Sequence, residues 1–253
     1  MDSRALRIIV AGSHSSSSGQ MLALLDRLGY NAIATETGEQ ALALLETIPA
    51  DLIILDGHLP ARDVIACREQ IKRHQQWSNT PVIIMAARHS KTSHDEYIGF
   101  GYEELLTTPF DLRQMHTLIQ TFLATGGVKN RQHPRIRFDQ PVKLRQSGKE
   151  QQYQPLNLSE GGIYLKTDHP LPIGTYVEIS LPVAGGNRLP VVGLIVHQKG
   201  THKEVLNVVP GMAIKFQKSD DLLRVALADY ITETALKGLP SGEDSIISRE
   251  RQV

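Results

Sequence analysis

Two arginines four residues apart are the side chains in this sequence best suited to bind a ligand. Arg131 and Arg135 flank a Gln-His-Pro segment, in which the proline disfavours a regular helix. A guanidinium group offers a planar fork of hydrogen-bond donors and a face that stacks on aromatic rings. The pair therefore favours an anionic ligand that carries both phosphate groups and purine bases.

A polar turn between two predicted strands supplies complementary groups. Residues 157–162 read Asn-Leu-Ser-Glu-Gly-Gly, beginning 26 residues after Arg131. Asn157 can pair with a purine edge, Ser159 offers a hydroxyl and an amide, and a glycine such as Gly162 lets a ligand approach the backbone. Taken separately, the arginines also fit a solvated basic loop, and the turn a plain hairpin. Together they favour ligand binding.

The two motifs resemble RxxxR and (Asp/Asn)xSxxG of the PilZ domain, and the resemblance extends over about residues 129–235. Members of that family have a six-stranded barrel and bind cyclic di-GMP. The resemblance implies that Arg131 and Arg135 contact phosphates and guanine faces. It implies that Asn157 contacts a guanine edge, and that Ser159 and Gly162 contact the side of the ligand that faces the backbone. Asn130 replaces an arginine found in many members, which leaves open one bound ligand or a stacked pair.

The charges balance overall, with 27 Lys and Arg against 27 Asp and Glu in 253 residues, but not along the chain. Residues 1–125 have a net charge of −4, and residues 126–253 a net charge of +4. Such asymmetry indicates two units with different surfaces. The basic residues of the second half are concentrated early, where an anion could dock. The balanced total, with no recognised DNA-binding element, argues against a nucleic-acid partner.

Several classes of protein and site are disfavoured by composition. A single cysteine, Cys67, cannot form an intrachain disulfide or a Cys-rich zinc cluster. The ten histidines show no metal-ligand spacing, so we expect no metal and no cofactor. The longest apolar run, Val82–Ala87, is far shorter than a membrane helix, and no signal peptide is evident. We therefore expect a cytoplasmic protein without membrane insertion.

The first half alternates short apolar runs with segments whose apolar residues have helical spacing. This five-fold βα pattern predicts a parallel sheet covered on both faces. In such sheets, sites form beyond the carboxyl ends of the strands. The predicted strands are Leu6–Ala11, Ala32–Thr35, Leu52–Leu55, Val82–Met85 and Glu104–Leu106.

This half resembles the receiver domain of bacterial response regulators over nearly all of residues 5–124. The resemblance rests on Asp51–Pro60, Pro81–Ala87, and Gly101 followed by Thr107–Phe110. It implies a CheY-like doubly wound (βα)5 fold. It also places Asp56 where the family has its phosphoacceptor aspartate.

The groups that assist phosphoryl transfer in receivers are replaced here. The family has two acidic Mg²⁺ ligands, a hydroxyl, a lysine and an aromatic residue. These positions hold, in the same order, Ala11, Gly12, Ala86, Thr108 and Leu105. We therefore expect a pseudo-receiver that is not phosphorylated, with residual phosphorylation at Asp56 as the alternative.

In the second half, turn residues recur between short predicted strands, which indicates a barrel or sandwich. A C-terminal helix is predicted from about Ser219. Combined with the resemblances, the expected fold is α/β plus all-β: a receiver-like domain followed by a six-stranded PilZ barrel with a C-terminal helix. The expected boundaries are 1–125 for the receiver-like domain, 126–134 for a flexible linker carrying the first motif arginine, 135–237 for the barrel, and 238–253 for a disordered tail.

These observations predict a cyclic di-GMP receptor without enzymatic activity. Ligand binding at the linker and barrel is expected to change the arrangement of the domains and partner binding. The receiver-like domain is expected to bind a protein partner or a second copy. Two alternatives remain: a PilZ-type protein-interaction adaptor independent of nucleotide, and a response regulator driven by phosphorylation of Asp56.

Overall fold

The computed structural model describes residues 6–12, 16–87, 94–124, 133–182, 187–200, 209–217 and 221–239. The chain divides into two compact units: the first comprises Met1–Gln132 and Gly238–Val253, and the second comprises His133–Lys237. His133 and Pro134, which the sequence places at the end of a linker, therefore belong to the second unit. No helix among these residues is long and apolar enough to cross a membrane.

The first unit contains a five-stranded parallel sheet and five helices. Its strands are β1 (Arg7–Ala11), β2 (Asn31–Thr35), β3 (Leu52–Asp56), β4 (Val82–Ala87) and β5 (Leu105–Thr108). Its helices are α1 (Ser16–Arg27), α2 (Gly38–Thr47), α3 (Ala61–Arg73), α4 (His94–Gly99) and α5 (Leu112–Ala124). The strand order is β2-β1-β3-β4-β5. The predicted (βα)5 fold is confirmed, and each strand bound differs from its prediction by no more than two residues.

The central strands form because their side chains are apolar on both sides of the pleat. Every residue of β3 is buried, as are the first five residues of β4. Helices α2 and α3 contribute Leu45, Val64 and Ile71 to the same core. Burial on both faces explains why these strands read as continuous apolar runs instead of alternating ones.

The second unit is a closed antiparallel barrel with a C-terminal helix. Its strands are β6 (Ile136–Arg137), β7 (Val142–Gln146), β8 (Lys149–Ser159), β9 (Gly162–Lys166), β10 (Tyr176–Pro182), β11 (Arg188–Lys199) and β12 (Gly211–Phe216), followed by α6 (Asp221–Leu236). Six strands close in the order β8-β7-β10-β11-β12-β9, and β9 pairs with β8. The predicted six-stranded barrel and helix are confirmed. The short strand β6, which the sequence did not indicate, adds to the edge of β8.

Side chains of the barrel alternate between its interior and its surface. In β7, Val142 and Leu144 are buried whereas Lys143 and Arg145 are exposed. Helix α6 contributes buried residues to the unit. The ring of its Tyr230 contacts the Phe138 ring edge to face, with 6.2 Å between the ring centroids. Strand residues that alternate with the buried ones point outward, where a ligand can reach them.

Candidate functional site

Three of the predicted ligand residues lie at the hairpin between β8 and β9. Asn157 and Ser159 are in the last three residues of β8, and Gly162 is the first residue of β9. Leu158 between them is fully buried in the barrel. Asn157 is half-buried, and Ser159 is buried, with 8% of its surface exposed.

Hydrogen bonds hold this hairpin in a defined shape. Ser159 and Gly162 are directly paired, and the Ser159 hydroxyl donates to the Gly162 carbonyl at 3.2 Å. The Phe216 amide donates to the Gly161 carbonyl at 3.0 Å, which ties the turn to the end of β12. The motif serine therefore has a structural role in the turn in addition to the predicted ligand role.

Gly162 allows β9 and β12 to approach one another closely. A Cβ atom at this position would overlap the carbonyl oxygen of Ile214. Its backbone does not have a positive φ, so the requirement is for space and not for an unusual conformation. The motif glycine thus contributes to barrel packing, which the sequence did not reveal.

Arg135 lies beside the same hairpin, in the segment that leads into β6. In β6, Ile136 pairs with Leu158 and Arg137 with Asn157. Ile136 is buried, whereas Arg135 and Arg137 are exposed. Continuing this register by one residue would place Arg135 opposite Ser159. Four of the five predicted residues thus lie on one side of the barrel, and Arg131 lies outside the described residues.

Two further residues flank the motif asparagine in register. Arg137 on β6 and Tyr164 on β9 both pair with Asn157, one on each side. The Tyr164 hydroxyl donates to the Val209 carbonyl at 2.8 Å, and burial raises the pKa of this phenol. The alternation that begins at Arg135 would have identified Arg137 as outward-facing. The position of Tyr164 beside Asn157 depends on the strand register, so no signal in the sequence identified it.

Positive charge predominates around the hairpin. Arg135, Arg137 and Lys215 are all exposed, and Lys215 pairs directly with Gly162 across the β9–β12 ladder. Such a cluster attracts an anion and raises its rate of association. One carboxylate interrupts the cluster: Glu160, in the turn, has a side chain that is 8% exposed.

Asp56 ends β3 as predicted, but its carboxylate is enclosed. The side chain is 1% exposed, and its Oδ1 accepts the His58 backbone amide at 2.9 Å. The His58 Nδ1 atom lies 2.8 Å from the same oxygen, and that imidazole is 53% exposed. The Asp56 carboxylate therefore has almost no contact with solvent.

The space used by metal ligands in receivers is filled by packing. A Cβ atom at Gly12 would lie 2.8 Å from the Asp56 Cβ and 2.9 Å from the Ser18 Cβ. Ala11 and Ala86 are buried in the sheet beside Asp56. An acidic side chain at position 12 would therefore not fit without displacing its neighbours.

Metal-binding and nucleophilic side chains are sparse in the part of the chain that the structure describes. Within it, no group of three His, Cys, Asp or Glu residues is arranged to hold a metal ion. The thiol of Cys67 is buried and donates to the Gly38 carbonyl at 3.4 Å. Burial raises the pKa of Cys67 to about 11, so the reactive thiolate is scarce at neutral pH.

Comparisons with known families match both halves of the chain. The response regulator receiver domain matches residues 8–120, and the PilZ domain matches residues 129–233.

Curated relatives match part of the chain. The transcriptional regulatory protein CpxR of Klebsiella pneumoniae is 35% identical over 100 residues, covering 40% of this chain and 41% of that protein. The alkaline phosphatase synthesis transcriptional regulatory protein PhoP of Bacillus subtilis is 30% identical over 104 residues, covering 41% and 42%. The chain thus spans less than half the length of these relatives.

Solved structures of similar fold cover about half of this chain. A putative response regulator from Chloroflexus aurantiacus has 18% identity and a TM-score of 0.45, covering 48% of this chain and 99% of its own. The chemotaxis response regulator CheY4 of Vibrio cholerae has 20% identity and a TM-score of 0.42, covering 47% and 100%.

Proposed function

We propose that this protein, in which a response regulator receiver domain precedes a PilZ domain, is a signalling receptor that binds cyclic di-GMP. The observation that carries the proposal is that the exposed Arg135 and the half-buried Asn157 lie beside the hairpin that carries Ser159 and Gly162. Cyclic di-GMP combines two phosphodiesters with two guanines. Guanidinium and amide side chains are the groups that recognise those two parts.

Each motif residue has a role that its position supports. Arg135 would contact a phosphate or stack on a guanine, and Asn157 would pair with a guanine edge. The Ser159 oxygen can still accept a hydrogen bond while its proton is donated to the Gly162 carbonyl. Arg137, the cross-strand partner of Asn157, adds a further cation within reach of the ligand.

The ligand is also proposed to alter the arrangement of the two units. Their boundary, between Gln132 and His133, falls inside the RxxxR motif. A ligand held by Arg131 and Arg135 together would fix the segment that joins the units. Small-angle scattering would then change when cyclic di-GMP is added to the wild type, and would not change for Arg135→Ala.

The receiver unit is proposed to bind a protein partner or a second copy, with no enzymatic step. Ile98 and Phe100, at the end of α4, are 39% and 46% exposed, and they offer an apolar contact. Partner capture or self-association should decrease for Phe100→Ser and should respond to cyclic di-GMP. A partner captured equally with and without the nucleotide would indicate the adaptor alternative.

Calorimetry of the full chain tests the binding proposal. Wild-type protein should bind cyclic di-GMP with a dissociation constant in the micromolar range or below, and Arg135→Ala should abolish detectable heat. Arg145→Ala is the matched control, because this exposed arginine lies on β7, 4.0 Å from the Glu150 carboxylate. Absence of binding by the wild type, or equal affinity for Arg135→Ala, would contradict the proposal.

A further inference from the structure

We infer that His133 and Glu160 form a clamp that positions Arg135 beside the β8–β9 turn for ligand binding, an inference that rests on the proposed function. The His133 Nδ1 atom lies 3.3 Å from the Glu160 Oε2 atom. The imidazole is 42% exposed, whereas the carboxylate is 8% exposed. The contact therefore joins the segment between the two motif arginines to the turn between the two motif strands.

The backbone cannot hold this segment by itself. Strand β6 has only two residues, and Pro134, which precedes Arg135, has no amide hydrogen to donate to the ladder. Side-chain contacts must therefore fix the chain at this end of the barrel. His133 is the first described residue before Pro134, and it supplies such a contact.

The ring of His133 also packs on the turn. A Cβ atom at Gly161 would lie 3.7 Å from the His133 Cδ2, so the imidazole lies over this glycine. The contact thus places His133 against the turn, two residues before the exposed Arg135.

Fixing His133 restricts Arg135, which follows it by two residues. A segment that is already ordered loses less conformational entropy when the ligand binds. His133 and Glu160 are thus positioning residues, and neither needs to touch the ligand.

A double-mutant cycle with cyclic di-GMP tests the clamp. His133→Gln and Glu160→Gln should each weaken binding by about two- to fivefold, within the range of an exposed ion pair. The double variant should lose no more affinity than the single variant that binds more weakly, because each substitution removes the same contact. The exchanged pair, His133→Glu with Glu160→His, should recover part of the affinity.

The matched control is the Lys143–Glu150 pair on β7 and β8, whose Nζ and Oε1 atoms are 2.9 Å apart. Glu150→Gln should change the affinity by less than about twofold. All variants should keep the wild-type melting temperature without ligand, since the clamp restrains one segment at the surface. Additive losses in the double variant, or unchanged affinity in both single variants, would overturn the clamp.

Amide exchange of the ligand-free protein separates failure of the clamp from failure of the proposed function. His133→Gln and Glu160→Gln should each speed exchange at the amides of Arg135 and Arg137, and Glu150→Gln should not. If the wild type binds no cyclic di-GMP, the proposed function fails, and this exchange still decides the clamp. Unchanged exchange in both variants would overturn the clamp whatever the nucleotide does.

Discussion

The first unit (the receiver unit) and the second unit (the barrel unit) differ in whether their candidate functional groups are buried or exposed. In the receiver unit, the carboxylate of Asp56 is enclosed at the end of β3, and the positions around it hold small or uncharged residues. In the barrel, Arg135 and Arg137 are exposed, and the half-buried Asn157 pairs with Arg137 on the adjacent strand. The first arrangement encloses its polar group, and the second exposes hydrogen-bond donors at the surface.

The difference shows that a fold and its chemistry can be separated. The parallel sheet depends on buried apolar residues, and it persists after the metal ligands, hydroxyl and lysine of a receiver have been replaced. Close packing at Gly12 leaves no room for a larger side chain beside Asp56. The barrel, in contrast, combines ligand groups and packing groups in the same motif.

The largest expected effect concerns the arginine that lies before the barrel unit. Arg131→Ala should weaken cyclic di-GMP binding by about a hundredfold, as expected for lost hydrogen bonds to a charged group. Arg135→Ala should lose a similar amount in the same calorimetric titration. Wild-type affinity for Arg131→Ala would restrict the site to the barrel and would remove the link between ligand and domain arrangement.

Gly162→Ala should destabilise the barrel by about 2 kcal/mol, because the added methyl group overlaps the Ile214 carbonyl. Gly161→Ala is the control, since a Cβ there meets nothing closer than the His133 ring at 3.7 Å. Urea unfolding followed by circular dichroism would measure both. Equal stability of the two variants would show that the motif glycine serves the ligand alone.

Asn157→Ala should weaken cyclic di-GMP binding by about tenfold, the value of one good hydrogen-bonded contact. Asn157→Asp should retain most of the affinity, because the motif accepts either residue. Thermal melting without ligand would show that both variants are folded. If the aspartate variant bound as poorly as the alanine variant, a direct role in base recognition would be wrong.

The smallest effect is expected in the receiver unit. Asp56→Asn should leave cyclic di-GMP affinity within about twofold of wild type, since the residue lies in the other unit and is fully buried. Acetyl phosphate with Mg²⁺ should not add a phosphoryl group to either protein, as judged by intact mass. A phosphoryl adduct on the wild type that Asp56→Asn lacks would establish phosphorylation as an input.

The sequence predicted the long strands and helices well, and it predicted the shortest elements poorly. Long apolar runs such as Val82–Ala87 identified the parallel strands, because a strand buried on both faces needs apolar residues at every position. Helix α4 has six residues and strand β6 has two, so neither produces a periodic pattern. Their existence depends on contacts with distant elements.

The candidate site was predictable only in part. The family motifs named Arg135 and Asn157, but the pairing of Tyr164 with Asn157 depends on the register of β8 and β9. The enclosure of Asp56 and the contact between His133 and Glu160 likewise arise from separate segments meeting in space. The local sequence gives no signal for contacts between segments that are distant along the chain.

Native mass spectrometry of the full chain, incubated with cyclic di-GMP, acetyl phosphate and Mg²⁺ together, tests the central claim most directly. We predict a non-covalent nucleotide adduct that Arg135→Ala lacks, with no phosphoryl group added to the chain. A phosphorylated chain without bound nucleotide would contradict the account, because it would place the signal input in the receiver unit instead of the barrel.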